Sequence, residues 1–230
     1  MEKAQRIRSF VLRAGRMSDA QRRSYDNFSA RFVLPFIPPS AAGKIHYPSI
    51  FGNPNPVTVE IGFGMGMATS AIAASNPDKN YLGLEVHTPG VGKLLWEIEQ
   101  RGLDNIRIIE HDAVEVLECM IDDESVAAFH IFFPDPWPKK RHHKRRLIQR
   151  PFTDLLARKL VLGGYVYMAT DWVEYGDWAL AELEATPELR NAYEGFSPPQ
   201  TWRPQTKFER KGLAKEHEVR ELYFLKDGMK

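Results

Sequence analysis

The sequence predicts an α/β fold: a doubly wound, mostly parallel sheet that ends in an antiparallel C-terminal strand pair. Three observations predict it: five short β-branched or aromatic runs each followed by a helix-like stretch, a glycine cluster at the first strand-to-helix turn, and a change of pattern after the fifth unit. Val57–Ile61 is the first run; it enters Gly62-Phe-Gly64-Met-Gly66, and the alanine-rich Met67–Ala74 reads as the helix that follows. The unit recurs as Tyr81–Glu85 with Gly90–Arg101, and as Ile106–Glu110 with Ala113–Ile121. Val126–Phe133 precedes a helix near Pro151–Leu160, and Tyr165–Ala169 precedes Val173–Ala185. Successive β-α units build a parallel sheet with helices on both faces. Thr206–Lys211 and Val219–Leu225 read instead as two strands joined by a polar turn, the expected antiparallel pair.

Residues 35–56 hold six of the sixteen prolines and no clear period, so they read as a linker. Two parts are expected: residues 1–56 as a basic N-terminal arm with a Pro-rich linker, and residues 57–230 as the main domain. With 230 residues, 43% of them hydrophobic, the chain can bury one sizeable core. Its single cysteine, Cys119, excludes a disulfide framework and a cysteine-built metal site and fits a reducing compartment. No run approaches the ~18 apolar residues of a membrane helix, and the start lacks the apolar core of a signal peptide. A cytoplasmic protein with no membrane contact is expected. The seven histidines show no metal-ligand spacing, so no metal is expected. No obligate protein partner is indicated, and a monomer is expected.

The formal charge of +1 hides segregation. Residues 1–23 carry a net +5 and residues 139–150 a net +7, which leaves −11 on the rest. Two basic patches therefore sit on an acidic body.

In an open parallel sheet, ligands bind beyond the carboxyl ends of the strands. Every expected strand ends near an acid: Glu60, Glu85, Asp112, Asp135 and Asp171. Asp112 alone would pass for a helix N-cap, but five such acids point to a ligand with positive charge and hydroxyl groups. The glycine cluster is not a dinucleotide fingerprint, because Met67 and Thr69 stand where the third glycine would fall. A P-loop is absent too, since no Gly-Lys pair follows at its spacing.

The combination Glu60-x-Gly62-x-Gly64-x-Gly66, with Glu85 closing the next strand, resembles the class I S-adenosylmethionine-dependent methyltransferases, whose Rossmann-like sheet it implies here. Bare glycine backbone suits close approach to a ligand, and a carboxylate such as Glu85 can accept both ribose hydroxyls. A sulfonium and an amino group favour a carboxylate-lined pocket over a basic one.

After Ala127–Phe133 comes Pro134-Asp135-Pro136-Trp137-Pro138-Lys139-Lys140-Arg141-His142-His143-Lys144-Arg145-Arg146. Three prolines fix the backbone around Asp135 and delay helix formation. Trp137 offers a face for base stacking, worth about 1–3 kcal/mol, and the basic residues suit RNA phosphates.

These pieces, with Gly83-Leu-Glu-Val-His87, Ala169-Thr-Asp-Trp172, Thr206-Lys-Phe-Glu209, Ile7-Arg-Ser-Phe-Val11 and Gly15-Arg16, closely resemble the bacterial tRNA (guanine-N7)-methyltransferases. The resemblance implies S-adenosyl-L-methionine as cofactor and tRNA as partner. It implies that Glu60, Gly62, Glu85, Asp112 and Asp135 contact the cofactor, Asp135 also being catalytic. Lys139, Asp171, Thr206, Lys207, Phe208 and Glu209 would contact the substrate, and Arg141, His142, His143, Lys144, Arg145 and Arg146 the RNA. Lys211 and Lys215-Glu-His-Glu218 depart from the family pattern, so no role is carried beyond Glu209. The family's reaction is methylation at N7 of a guanosine in the tRNA variable loop, position 46. Guanine N7 has an in-plane lone pair and no proton, so direct in-line attack is expected. The enzyme then aligns the reactants and stabilises the moving charge. Asp135 or Asp171 would select the guanine edge, and Trp137 or Phe208 would stack on the extruded base.

Overall fold

The computed structural model describes residues 7–11, 15–41, 43–204 and 218–228. Its centre is a seven-stranded sheet: β1 (Val57–Ile61), β2 (Asn80–Glu85), β3 (Ile106–Glu110), β4 (Val126–Phe132), β5 (Leu160–Thr170), β6 (Leu189–Asn191) and β7 (Arg220–Lys226). They lie in the order β3-β2-β1-β4-β5-β7-β6. The first five strands are parallel to their neighbours, with Val59 opposite Leu82 on one side and Phe129 on the other. β7 runs antiparallel to both β5 and β6.

The antiparallel pair at the sheet's end is thus β6 with β7. Its expected first member, Thr206–Lys211, lies outside the described residues. β5 is twice as long as the expected Tyr165–Ala169. It continues back through Gly163 and Gly164, beside a shift of register against Val126 and Ala128 of β4. Glycine weakens a strand pattern and marks irregular pairing, which is why the sequence reading stopped short of it.

Every residue of β1 and β2 is buried, as expected for strands covered on both faces. Alternation along the strands divides the core in two. Val57, Val59, Ile61, Leu82, Leu84, Phe129 and Ile131 pack with α5 (Ala113–Cys119), α6 (Phe152–Lys159) and α7 (Val173–Glu184). Tyr81, Ile106, Ile108, Phe132 and Tyr167 pack with α3 (Met67–Ser75) and α4 (Thr88–Arg101).

The region expected as arm and linker contains two further helices, α1 (Asp19–Phe32) and α2 (Tyr47–Phe51). α1 opens on a capping box: Ser18 and Gln21 satisfy each other's backbone amides, a device worth about 0.5–2 kcal/mol. It lies along α4 through polar ties, Gln21 to the Pro89 carbonyl and the Ser24 hydroxyl to Glu99, reaches the end of β3 through the Tyr25 hydroxyl on Glu110, and buries Phe32. α2 adds Phe51 to the other core.

At the amino ends of the strands two lysines are buried. The Lys159 ammonium donates to the Ile121 carbonyl (2.6 Å) and to Asp123 (2.6 Å). That of Lys226 donates to the Leu160 carbonyl (2.9 Å) and to Glu124 (3.3 Å).

The first turn of α4 abuts the loop after β1. A Cβ at Gly90 would come within 2.1 Å of the Gly64 carbonyl oxygen, so only glycine lets helix and loop meet. Gly90→Ala is expected to destabilise the protein by about 1–3 kcal/mol through overpacking and to displace the glycine loop. Thermal denaturation would show the first effect and weakened cofactor binding the second.

Candidate functional site

Three left-handed glycines carry the chain from β1 into α3: Gly62 (φ 73°), Gly64 (φ 57°) and Gly66 (φ 68°). Side chains other than glycine's strongly disfavour that geometry, which accounts for glycine at every second position. A Cβ on Gly62 or Gly64 would meet nothing within 4 Å. Gly62 borders a cavity of about 230 Å³ whose wall includes Glu85, Asp112, Phe133 and Asp135. A second cavity, of about 600 Å³, is lined by Glu85 and Asp135 together with His87, Trp137, Lys139 and His142. The two share the Glu85–Asp135 wall, at the junction of β1 and β4 where the order of the sheet reverses.

The five strand-end acids divide by what engages them. Glu60 is 2% exposed; its Oε2 and the Thr69 hydroxyl are both buried without a hydrogen-bond partner among the described residues. Burial pushes Glu60 up to about 8, and nearby Glu85 adds to the shift while Thr69 opposes it. Glu85 accepts from the backbone N–H groups of Gly64 (2.8 Å), Val86 (2.7 Å) and His87 (3.1 Å). Burial still holds it above the usual carboxylate range. Asp112 is the N-cap of α5 and accepts from Val114 N–H at 2.8 Å. Asp135 and Asp171 differ: no hydrogen bond or ion pair among the described residues engages either carboxylate. Asp135 is exposed in the wall of both cavities, whereas half-buried Asp171 lies at the end of β5 and lines neither.

The loop after β4 is held in an uncommon shape. Phe133 (φ 52°) and Trp137 (φ 46°) are both left-handed, a conformation that costs on the order of 1–3 kcal/mol per non-glycine residue. Three ties restrain the segment between them. Phe133 N–H donates to the Ala169 carbonyl at 2.8 Å, Trp137 Nε1–H to the Ser9 carbonyl at 2.9 Å, and Arg146 Nε–H to the Pro136 carbonyl at 3.0 Å.

The basic run folds as a 3-10 helix, Lys140–Arg145. With three residues per turn, side chains three apart share an edge. Arg141 and Lys144 form the exposed edge. His142 and Arg145 turn to Trp137, the ring of His142 edge-on at 5.8 Å and the Arg145 guanidinium over the indole at 4.8 Å. His143 and Arg146 turn inward to Glu174. The side chain of Arg146 is 0% exposed, sealed under α7, unlike the outward Arg141 and Lys144 that share its expected RNA contact. A hydropathy pattern could not reveal these three edges, because every position in the run is basic. One face of Trp137 is also already covered by Arg145.

Residues Ile7–Val11 supply part of the wall that the sequence reading did not assign. Phe10 lines both cavities, and Ser9 lines the smaller one. His111 also lines the smaller cavity and stacks on Phe36 at 3.7 Å. The expected substrate residues Thr206, Lys207, Phe208 and Glu209 lie outside the described residues. Among those described, no group of three or more His, Cys, Asp or Glu side chains could hold a metal ion, and no helix is long and apolar enough to cross a membrane.

Residues 54–222 match the family model described as "Putative methyltransferase". The chain is 52% identical over 223 residues to the tRNA (guanine-N(7)-)-methyltransferase of Paraburkholderia xenovorans, covering 97% of this chain and 84% of that protein. It is 49% identical to the protein of the same name from Thiobacillus denitrificans, covering 95% of each. Among solved structures, the aminoglycoside resistance methyltransferase NpmB1 superposes with a TM-score of 0.53 at 16% identity. That likeness covers 83% of this chain and 98% of the other and reaches the fold alone. The cofactor is S-adenosyl-L-methionine, and the site suits it: an orphaned buried carboxylate oxygen on Glu60, bare glycine backbone bordering a cavity, and an unengaged acid at Asp135. With this sheet order, this acid-lined crevice and relatives about half identical along nearly its whole length, the chain belongs to the tRNA (guanine-N(7)-)-methyltransferase family.

Proposed function

We propose that the protein transfers the methyl group of S-adenosyl-L-methionine to N7 of a guanosine in the tRNA variable loop, position 46 in the family's naming, by direct in-line attack of N7. The observation that carries this reading is the unengaged carboxylate of Asp135 in the wall between two cavities, with a basic edge and an indole beside it. In this reading Glu60, Gly62, Glu85, Asp112 and Asp135 hold the cofactor, which supplies an electrophilic methyl group on a sulfonium. Glu85 and Asp112 keep the crevice in shape through the backbone amides they cap and offer their remaining lone pairs to hydroxyl and amino groups. Because N7 carries no proton, no side chain has to act as a base before attack. Asp135, and Asp171 from the end of β5, accept from the guanine N1–H and exocyclic amine. That selects guanine over adenine and stabilises the positive charge left on the purine. Lys139 lies in the wall of the larger cavity, where it meets the substrate's phosphate. Arg141 and Lys144 contact the RNA backbone, and the N-terminal segment, packed on the catalytic domain, adds a further RNA-facing part.

Three results test the reading. Asp135→Ala is expected to lower the methylation rate on the order of 10²–10³-fold with cofactor binding reduced far less. Nuclease digestion and mass spectrometry of the treated tRNA would give both the base and its position, and near-normal product at that guanosine would refute the role. Replacing Arg141 and Lys144 with alanine should weaken tRNA binding and lower its salt slope by about 1 per lost phosphate contact, cofactor affinity staying constant. Glu60 holds its proton up to about pH 8 in the cofactor-free protein, and a bound cation favours the ionised form. Cofactor binding therefore releases a proton, so affinity rises with pH from the carboxylate range to about pH 8 and then levels. Glu60→Gln should flatten that profile in calorimetric titrations.

A further inference from the structure

We propose that Arg146 is a positioning residue that sets the Asp135 loop against α7, and that it makes no contact with RNA. The proposal rests on the reading of Asp135 given above and adds what holds that carboxylate in place.

The guanidinium has no solvent-exposed surface. Its Nε–H donates to the Pro136 carbonyl at 3.0 Å, and Nη2 donates to Glu174 Oε1 at 2.9 Å and lies 3.2 Å from His143 Nε2. Two aromatic rings of α7 enclose it, Tyr175 at 5.2 Å and Trp178 at 5.0 Å from the guanidinium carbon. Nη1 is buried with no hydrogen-bond partner among the described residues, and Glu174 is itself 58% exposed. A buried cation so incompletely compensated is costly; a stabilising core would place an apolar side chain here.

What the charge gains is geometry. The carbonyl that it grips belongs to the residue between Asp135 and the left-handed Trp137. Two residues before Trp137 stands the acid proposed to hold the guanine. The other end of the fork grips the first turn of α7, which Trp172 alone separates from Asp171. One planar cation thus ties the loop that carries Asp135 to the helix that follows Asp171. Lysine cannot replace it, because a point charge on a flexible stem lacks a fork that reaches two acceptors while stacked between rings.

The test compares Arg146→Lys and Glu174→Gln with wild type. Arg146→Lys keeps the positive charge, and Glu174→Gln removes only the half-exposed partner, so the second variant stays informative should the first fold poorly. Single-turnover methylation of tRNA transcript is expected to slow on the order of 10- to 100-fold in Arg146→Lys and by less in Glu174→Gln. KM for tRNA, the salt slope of tRNA binding and cofactor affinity should stay within about twofold, as for lost alignment rather than lost binding. Hydrogen exchange of the peptide spanning residues 133–142 should speed up in both variants, a readout that needs no turnover. A salt slope lowered by about one would make Arg146 a phosphate contact and overturn the proposal. Unchanged exchange, or an unchanged rate in Arg146→Lys, would overturn it as well. If wild type itself formed no N7-methylguanosine, the proposed function would fall, and the exchange comparison would still decide whether Arg146 holds the loop.

Discussion

Everything at the site depends on β1 and β4 being neighbours although five elements separate them in the chain. The chain builds outward from β1 in one direction through β2 and β3, then returns to β1's other side for β4 and continues to β5. Helices that follow β1 and β4 consequently leave on opposite faces of the sheet, and a crevice opens between their loops. One loop is stripped of side chains by alternating glycines and the other is stiffened by alternating prolines. Each suits one wall: bare backbone where a ligand must lie close, and rigid backbone where a carboxylate must be held still.

The acids along that crevice share a position but not a state. Glu85 and Asp112 are bound to backbone amides that would otherwise go unpaired, so they belong to the fold as much as to the site. Glu60 is sealed, and burial pushes its carboxyl well above the usual carboxylate range, up to about 8. Among the described residues, Asp135 and Asp171 are the strand-end acids whose carboxylates no hydrogen bond or ion pair engages on the surface, and they come from the two strand ends on the far side of β1. In the proposed reading a pocket for a cation and a pocket for a purine edge are therefore adjacent without repelling each other. The acids of the first are desolvated or hydrogen-bonded, and Asp135 of the second is exposed.

Much of this was legible in the residues. β1, β3 and the start of β4 fall where the β-branched runs end at glycine or acid, and the glycine spacing anticipated the left-handed turns. α1 is harder to read, since polar residues dominate it: it docks through hydroxyls, an amide and the Arg31–Asp104 ion pair beside a short aromatic row, Tyr25, Phe28 and Phe32. That row and the capping box at Ser18 and Gln21 are its signals in the sequence. β6 is three residues long, too short to show a period. The sorting of Arg141–Arg146 into outward, indole-facing and buried edges was invisible because six basic residues present no contrast. Ile7–Val11 joins the site through a backbone carbonyl and Phe10, and a carbonyl leaves no trace in side-chain chemistry.

The paired lysines at the opposite end of the sheet carry a consequence for how the protein tolerates change. Lys159 and Lys226 are buried but matched to carbonyls and carboxylates, so losing either leaves acceptors stranded in the interior, a defect of assembly. The unengaged acids at the ligand end can be exchanged without stranding anything. The two ends of the same strands thus answer to different selection, one for the yield of folded chain and the other for what the folded chain does. New substrate preferences can be explored at the second end while the first preserves the scaffold.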